Sequence, residues 1–419
     1  MYVGVLAGRV THSATALTSV GVRILVVNSF FPPRTTGSSH FSFDVAREYA
    51  AQGHEVWAVT TSVPAAPERE EVDRIHVVRL PARWVTPGNL AFNYALPFVT
   101  RRGVIGRLRR LFDEVRPDVV HQNGQFFDLT FLTTWIAWRR KVPRVLTVHT
   151  PLMHTNRVLR ALIAGVDRSI MRVLNAPGRP VVVGVDRFVC DMVQRRYRPR
   201  SGPVRFIPAT LRVEEFSRGD GQSIRERFGL GIAPVILSFG HVIPIRSRVP
   251  LIRALPYIVK EFPDLTVLIV GEVYYDEFHR VAAELGVLDH IVEAGPVKHA
   301  DVPDYLAAAT VGSHDLDGHM LGIGTLETMA ARVPIFASVR RDVFPGIDLD
   351  EWPELQIVED ADPESIATSI CDLLRSAELR ARVADRQFEF VDRYFRAELV
   401  AAEYLSIFDA LVGARSNAT

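Results

Sequence analysis

The sequence predicts an α/β protein built from two doubly wound, Rossmann-like domains that face each other across a cleft. Short β-branched apolar runs alternate with helix-periodic stretches, and this alternation stops and restarts near the middle of the chain. Its 419 residues exceed the usual size of one domain. Strands that are apolar without a break indicate parallel sheets with helices on both faces. Such sheets bind ligands beyond the carboxyl ends of their strands.

In the first half, a strand at Arg23–Phe30 leads through a loop into the helical stretch HFSFDVAREYAAQ. Gly53 ends this helix, and the strand EVWAVTT follows at once, which predicts a βαβ unit. We expect further strands at IHVVRL, DVVHQ, RVLTVHT and VRFIPA.

The pattern restarts with the strand PVILSFG at Pro234–Gly240. The expected strands after it are LTVLIVGE, HIVEAGPV, TVGSH and VPIFAS, and the helices from Pro363 onward have no strand to reach. We place the first domain at 1–212, with 1–21 as an extension, and the second at 213–397. The C-terminal helices of about 398–419 complete the first domain.

Composition excludes several classes of protein. The 49 Lys and Arg residues balance 48 Asp and Glu residues, so the chain lacks the basic excess of a nucleic-acid-binding protein. Cys190 and Cys371 are too few for a disulfide framework or a zinc cluster. No apolar run is long enough to span a bilayer, and residues 1–21 lack the basic region of a signal peptide. We expect a soluble, cytoplasmic protein.

Two loops in corresponding places of the halves are suited to anions. In Pro32–Ser39, small residues let backbone amides approach an anion at a helix N-terminus, although a plain turn is the alternative. In Gly240–Arg248, the side chains of His241, Arg246 and Arg248 suit a diphosphate, and we expect no acidic residue nearby to compete for them. A solvated surface cluster is the alternative interpretation of this second loop.

A third loop runs from Asp315 into the helix TLETMAA. The backbone amides of Gly322–Thr325 are placed to hold phosphate or sugar hydroxyls. Glu327, expected in the first helical turn, is suited to ribose hydroxyls, or else only interacts with the helix dipole. The histidines and aspartates from His314 to His319 lack the spacing of a standard metal site, and we predict no metal.

Two histidines lie at predicted strand ends. His149 in TVHT is suited to orient or polarise a substrate group, although a structural role is the alternative. For His121 in DVVHQ, we favour the structural role.

These segments, in this order, resemble the retaining GT-B glycosyltransferases of family 4, from Val22 to about Phe408. FPPRTTGSSHFSFDVAREYAAQGHEV is similar to that family's opening loop and helix, and RPDVVHQNG and VLTVHT match its next strand ends. SFGHVIPIRS stands where the family has Gly-Arg, four residues, then Lys-Gly. LTVLIVGE and the loop ending in LETMAARVP continue the similarity.

The resemblance implies that the second domain binds a nucleotide-diphosphate sugar and that the first binds the acceptor. Arg246 matches the diphosphate-binding lysine, and Glu327 matches the ribose-binding second glutamate of the Glu–seven residues–Glu motif. The implied catalytic residues are His149, His319 and Arg246. The implied donor-binding residues are Thr36, Gly37, Gly240, His241, Arg246, Val297, Gly322, Ile323, Gly324 and Glu327.

Departures from the family pattern concern the sugar and the diphosphate. His319 stands in place of the motif's first glutamate, so it cannot supply that carboxylate's charge, and His241 replaces a diphosphate-binding arginine. Ala209 and Thr210 replace the usual Asn-Gly. These changes point to an unusual donor sugar, an unusual acceptor or reduced activity.

We therefore expect a retaining, metal-independent glycosyltransferase that needs no cofactor and uses a UDP, GDP or ADP sugar. Its acceptor would be a small polar molecule, in specialised metabolism for instance, bound by Asn93, Tyr94, Asn123 and Arg157. Two alternatives stay open: a GT-B sugar-nucleotide epimerase or hydrolase, and a non-catalytic partner that binds nucleotide sugar. A homodimer is compatible with the sequence.

Basic and apolar residues interleave between Arg101 and Phe112. Such a stripe suits contact with a membrane surface. We favour the other interpretation, an amphipathic helix packed on its own sheet.

Overall fold

The computed structural model describes residues 21–34, 37–64, 66–85, 96–99, 103–150, 157–199, 202–244, 246–314, 316, 321–359 and 361–416. The chain divides into two compact units. Unit 1 comprises Met1–Thr210 and Ala397–Thr419, and unit 2 comprises Leu211–Arg396. Each unit contains a mainly parallel sheet joined by helices, which confirms the predicted α/β fold class. The roles given to the two halves stay predictions.

Unit 1 is built on an eight-stranded sheet. The strands of this unit are β1 (Arg23–Asn28), β2 (Glu55–Thr61), β3 (Arg69–Val72), β4 (Ile75–Leu80), β5 (Arg83–Val85), β6 (Leu96–Phe98), β7 (Val119–Asn123), β8 (Arg144–Val148), β9 (Val181–Gly184) and β10 (Arg205–Phe206). The sheet order is β10-β9-β8-β7-β1-β2-β4-β3, and only β3 runs antiparallel to its neighbour. β5 and β6 form a separate antiparallel pair.

The helices of unit 1 are α1 (Gly37–Ala51), α2 (Val104–Val115), α3 (Asp128–Arg139), α4 (Arg157–Asn175), α5 (Arg187–Arg196) and, from the end of the chain, α13 (Ala397–Ser416). α13 joins unit 1 because its apolar side chains belong to that unit's core. Tyr404 and Phe408 of α13 cluster there with Phe41 and Tyr49 of α1.

Unit 2 has six parallel strands, β11 (Val235–Phe239), β12 (Thr266–Val270), β13 (Ile291–Gly295), β14 (Val311–Ser313), β15 (Ile335–Ser338) and β16 (Ile357–Val358), in the order β13-β12-β11-β14-β15-β16. Its helices are α6 (Gly221–Arg227), α7 (Val249–Val259), α8 (Glu277–Leu285), α9 (Val302–Ala308), α10 (Ile323–Ala330), α11 (Pro363–Arg375) and α12 (Ala377–Tyr394). The core of this unit lies where α7, α8 and α11 cover the sheet.

Each sheet has one point where the strand order reverses. In unit 1 the chain leaves β1 toward β2 on one side and returns to β7 on the other. In unit 2 the same reversal separates β11 from β14. Ligands of doubly wound sheets bind outside the strand ends at these points. We therefore expect the functional residues to lie in the loops after β1, β7, β11 and β14.

The basic, apolar stretch near residue 105 forms α2, and its apolar side faces the protein interior. Leu108, Leu111, Phe112 and Val115 are buried with side chains of the unit 1 sheet. Packing within unit 1 therefore accounts for this stripe. In the part of the chain that the structure describes, no helix is long and apolar enough to cross a membrane. The cytoplasmic location stays a prediction.

Candidate active site

The loops after β11 and β14 come together at the reversal point of unit 2. Arg246, in the first loop, is half-buried and lies against Gly322, the residue before α10. A β-carbon at Gly322 would lie 2.9 Å from both Cζ and Nη2 of Arg246. Because Gly322 has no side chain, the guanidinium group reaches the backbone at the start of α10. Two segments that are distant in sequence therefore form one positively charged corner.

The N-terminus of α10 adds backbone donors to this corner. The helix begins at Ile323, and the amide of Thr325 donates to the carbonyl oxygen of Gly322 at 3.1 Å. The amides of Ile323 and Gly324 come before the first residues that can find an acceptor inside the helix. Gly324 packs tightly on the end of β11, since a β-carbon there would lie 3.0 Å from Cδ1 of Phe239. A helix N-terminus next to a guanidinium group is a favourable place for a phosphate.

Arg248 has a different role from Arg246, although both belong to the same basic loop. Its side chain is buried, and Nη2 donates to the carbonyl oxygens of Phe239 at 3.2 Å and Gly240 at 2.7 Å. Arg248 therefore fixes the path of the loop after β11. The Arg248 guanidinium is thus occupied by carbonyl oxygens of its own loop, and the expectation that this loop binds a diphosphate, which stays a prediction, rests on Arg246 and His241.

His241 lies at the surface of the same loop, where Nδ1 accepts a hydrogen bond from the backbone amide of Glu272 at 3.2 Å. Although part of the His241 side chain is exposed, the atoms packed around its ring desolvate it and lower its pKa below the usual value; the Glu272 carboxylate opposes this effect, and Arg246 and Arg248 add to it. His241 is therefore neutral at neutral pH. The expectation that no acidic residue lies near this loop was wrong, because the tertiary structure brings Glu272 to it from the segment after β12.

Glu327 is buried beside a histidine that the sequence analysis did not select. Its Oε1 atom lies 3.4 Å from Nε2 of His299, and Phe216 makes an edge contact with the His299 ring at 5.8 Å. α10 begins two residues earlier than predicted, so Glu327 lies in its second turn and the expected position in the first turn was wrong. A buried carboxylate needs polar partners, and His299 is one of them. Because Glu327 and His299 are far apart in sequence, no local sequence pattern predicted that they would lie side by side.

In unit 1, His149, the first residue after β8, meets Asn123, the last residue of β7. Nε2 of His149 lies 3.2 Å from Oδ1 of Asn123, and Phe41 packs edge-on against the imidazole at 4.7 Å. Burial lowers the pKa of His149 to about 4, so the ring is neutral at neutral pH. A carbonyl partner favours the proton on Nε2 and leaves Nδ1 as an acceptor. Within the described residues, the buried Nδ2 of Asn123 has no hydrogen-bond partner.

His121 holds the core of unit 1 together. Its ring nitrogens contact Tyr49 Oη at 3.2 Å and Thr147 Oγ1 at 3.0 Å, and Thr147 in turn contacts Tyr404 Oη at 2.9 Å. Burial lowers the pKa of His121 to about 3. This network ties α1 and α13 to the sheet, and it gives His121 a structural role.

The remaining predicted site residues are less well defined. Gly37 is the exposed first residue of α1, and Val297 follows β13 at the sheet edge, two strands from β11. Thr36, Asn93, Tyr94, His319 and the side chain of Arg157 lie outside the described residues. The described ranges contain no group of three or more His, Cys, Asp or Glu residues suited to a metal. Asp315 and Asp317 fall outside them, so the expectation of no metal stays a prediction.

Two family models match the chain. The model described as Glycosyltransferase Family 4 matches residues 35–215, and the model described as Glycosyl transferases group 1 matches residues 233–376. The first covers most of unit 1, and the second covers the reversal point of unit 2.

Curated relatives include several inositol-directed transferases. The GDP-mannose-dependent alpha-(1-6)-phosphatidylinositol monomannoside mannosyltransferase of Mycolicibacterium smegmatis is 31% identical over 209 residues, which are 46% of this chain and 54% of that protein. The protein of the same name from Mycobacterium tuberculosis is 24% identical over 91% of this chain and 96% of its own length. D-inositol 3-phosphate glycosyltransferase 2 of Catenulispora acidiphila is 24% identical over 69% of this chain and 72% of that protein.

Solved structures share the fold across both units. Sucrose-phosphate synthase from Thermosynechococcus elongatus gives a TM-score of 0.66 at 18% identity, over 93% of this chain and 99% of that one. Anabaena Alr3699/HepE in complex with UDP and glucose gives a TM-score of 0.68 at 15% identity, over 93% of this chain and 100% of that one. The shared fold is GT-B.

Proposed function

Because the chain belongs to glycosyltransferase family 4 and is a glycosyltransferase for nucleotide-sugar donors, we propose that it transfers mannose from GDP-mannose to a phosphorylated inositol, with retention of anomeric configuration. The observation that carries the nucleotide-diphosphate part of this proposal is the position of Arg246 against Gly322 at the start of α10. The names of the relatives support the donor, since those from both mycobacterial genera are GDP-mannose-dependent. They also support the acceptor, since each named substrate is an inositol that carries a phosphate.

On the donor side, Arg246 and the first amides of α10 would bind the diphosphate. Charge that develops on the departing diphosphate would be stabilised by donors that are already in place, which is an effective form of catalysis. The guanidinium group can bind two phosphate oxygens at once. Glu327, oriented by His299, would accept hydrogen bonds from the ribose hydroxyls.

In the transfer itself, an acceptor hydroxyl would attack the anomeric carbon from the face that the diphosphate leaves. The bond from the anomeric carbon to the diphosphate oxygen breaks, the bond to the acceptor oxygen forms, and the hydroxyl proton passes to the departing phosphate. His149, neutral because burial lowers its pKa to about 4, would position the donor sugar through Nδ1. It would not act as a nucleophile.

His319 and the acceptor residues belong to this proposal as predictions. His319 would meet the donor sugar with an imidazole where the family has a carboxylate. Asn93, Tyr94 and Arg157 would face the acceptor together with Asn123, whose buried Nδ2 has no hydrogen-bond partner among the described residues. The sequence alone led us to expect a small polar acceptor, and this proposal specifies that the acceptor is a phosphorylated inositol.

The test is an assay of donors with and without acceptor. The full chain is incubated with GDP-mannose, UDP-glucose, UDP-N-acetylglucosamine or ADP-glucose, each alone, with D-inositol 3-phosphate, or with phosphatidylinositol in detergent. We expect a mannosylated inositol product only with GDP-mannose and an acceptor, and an α-anomeric signal by NMR. Turnover without acceptor would instead show an epimerase or hydrolase. Calorimetric donor binding without any product would show a non-catalytic protein.

A further inference from the structure

α4 exposes an apolar stripe to solvent. Val158 is 76% exposed, Leu162 63%, Val166 51% and Val173 62%. Their spacing of four, four and seven residues places them on one face of the helix. The opposite face is buried through Asp167, Met171 and Leu174. Most amphipathic surface helices bury their apolar face and expose their polar face, so α4 departs from the usual arrangement.

Five arginines lie along one edge of this stripe. Arg168 and Arg172, four residues apart on α4, line a pocket of about 270 Å³ together with Arg195, Arg196, Tyr197 and Arg198 at the end of α5. Arg196 forms an ion pair with Asp167 at 2.8 Å, and Arg195 lies 3.6 Å from Asp191. Among the described residues, no acidic side chain forms an ion pair with Arg168, Arg172 or Arg198. The edge therefore carries an excess of positive charge.

We propose that this surface docks on a bilayer that contains anionic phospholipids. We call it the α4 surface and define it by the apolar stripe Val158, Leu162, Val166 and Val173 and by the arginines of the pocket. Apolar side chains flanked by basic ones are the features of a helix that lies in the plane of a membrane interface. The apolar side chains would enter the boundary between headgroups and acyl chains, and the guanidinium groups would bind lipid phosphates.

The charge distribution favours a lipid over other occupants. The chain as a whole carries a formal charge of only +1, so attraction to an anionic surface comes from local clusters of arginines such as this edge and not from the net charge. In a symmetric dimer with antiparallel α4 helices, the same patch would meet itself across a two-fold axis and bring the arginine edges toward each other. An anionic bilayer instead neutralises them. The basic stretch of α2 is a different surface, since its apolar side chains are buried in unit 1.

Vesicle cosedimentation tests this proposal with the full chain. We expect the protein to sediment with vesicles of phosphatidylcholine and phosphatidylglycerol, to stay in solution with phosphatidylcholine alone, and to be released by high salt. Leu162→Glu and the double variant Arg168→Glu/Arg172→Glu should each lower the partition coefficient by about tenfold or more. The substituted side chains are exposed, so the thermal midpoint should stay that of the wild type.

Matched controls lie in unit 2. Ile232→Glu replaces another exposed apolar side chain, and Arg218→Glu/Arg253→Glu makes the same change of charge at two exposed arginines. Both controls should bind vesicles like the wild type. Equal binding to both kinds of vesicle, or patch variants that bind like the controls, would overturn the proposal. So would a dimer that Leu162→Glu dissociates in analytical ultracentrifugation, because a second copy would then cover the surface.

The result is independent of the proposed reaction. Calorimetric binding of GDP-mannose to the same variants reports on the donor site alone. Variants that lose vesicle binding and keep donor binding support docking by the α4 surface. A wild type that binds vesicles but no donor would contradict the proposed function and leave the docking proposal standing.

Discussion

The two units share a doubly wound sheet topology, but charged side chains lie where the strand order reverses in unit 2 and neutral polar side chains lie there in unit 1. In unit 2, the guanidinium group of Arg246 and the carboxylate of Glu327 lie at this point. In unit 1, the corresponding region holds the neutral imidazole of His149 and the amide of Asn123. The topology is shared, whereas the charge is not.

This difference shows that the fold and the side chains determine different properties of a binding site. The topology determines where a ligand can approach, because the strand ends and helix N-termini converge there. The side chains then determine which ligand fits. Fixed charges suit a diphosphate, and neutral hydrogen-bonding groups suit sugar hydroxyls, which need no counter-charge. Four experiments can break or sharpen this contrast, and they are described from the largest expected effect to the smallest.

The largest effect is expected for Arg246→Ala in unit 2. Removing a preorganised donor to a developing anion should lower kcat/KM by about 100-fold or more and weaken nucleotide-diphosphate binding. Arg246→Lys should recover part of the loss, because the charge is kept while the bidentate geometry is lost. Calorimetry and steady-state kinetics measure both. Arg253→Ala, an exposed arginine of the same unit, is the control. If donor affinity were unchanged in Arg246→Ala, the charged side chain in unit 2 would not bind the diphosphate, and the electrostatic difference between the units would not explain ligand choice.

Acid should destabilise unit 1 through its buried histidines. Burial lowers the pKa of His121 to about 3 and that of His149 to about 4, whereas unfolded histidine titrates near 6.5. Their stabilisation is thus complete above pH ~6.5 and is lost as pH falls, because the unfolded state takes up protons first. At about pH 5, each should cost about 2 kcal/mol of unfolding free energy.

Denaturant unfolding at neutral pH and at about pH 5 measures this loss. His121→Gln should show a smaller decrease on acidification than the wild type, and His76→Gln, a less buried histidine, should behave like the wild type. Equal decreases in all three proteins would show that buried neutral histidines do not distinguish unit 1.

Glu327→Gln should weaken donor binding by about tenfold, because a charged hydrogen-bond acceptor contributes more than a neutral one. If the carboxylate binds ribose, a deoxyribose form of the nucleotide should bind the variant and the wild type with similar affinity. His299→Gln should give a smaller loss, since it removes only the neighbour that orients Glu327. An undiminished effect of Glu327→Gln on deoxyribose nucleotides would contradict the ribose assignment.

The smallest effect concerns His241. Its pKa is lowered in the free protein, so protonation occurs below the usual histidine range, and a bound diphosphate should raise it. Donor affinity should therefore increase as pH falls from about 8 to about 6, by about threefold. His241→Arg should remove this dependence and bind as tightly at about pH 8 as at about pH 6. The same pH slope in both proteins would show that His241 does not face the diphosphate.

Much of the positively charged corner in unit 2 was predictable from sequence because its parts are local. Each part lies within a short continuous stretch of about a dozen residues. One part is Gly322 with the helix after it, and the other is the basic loop that ends in Arg248. The contact between Arg246 and Gly322 then follows from two adjacent strands, β11 and β14, once their order is known. The start of α10 was misplaced by two residues, which moved Glu327 from the first turn to the second.

Sequence alone determined the α/β class, the alternation of strands and helices, and the loops that carry candidate chemistry, because periodicity and turn residues are local properties. Only the tertiary structure decided which neighbours those residues meet. It paired Glu327 with His299, turned Arg248 inward to the carbonyl oxygens of the β11 loop, and placed Glu272 beside His241. It also left the apolar stripe of α4 exposed while burying that of α2. Burial and charge pairing depend on segments far apart in the chain, and no local pattern encodes which of them come together.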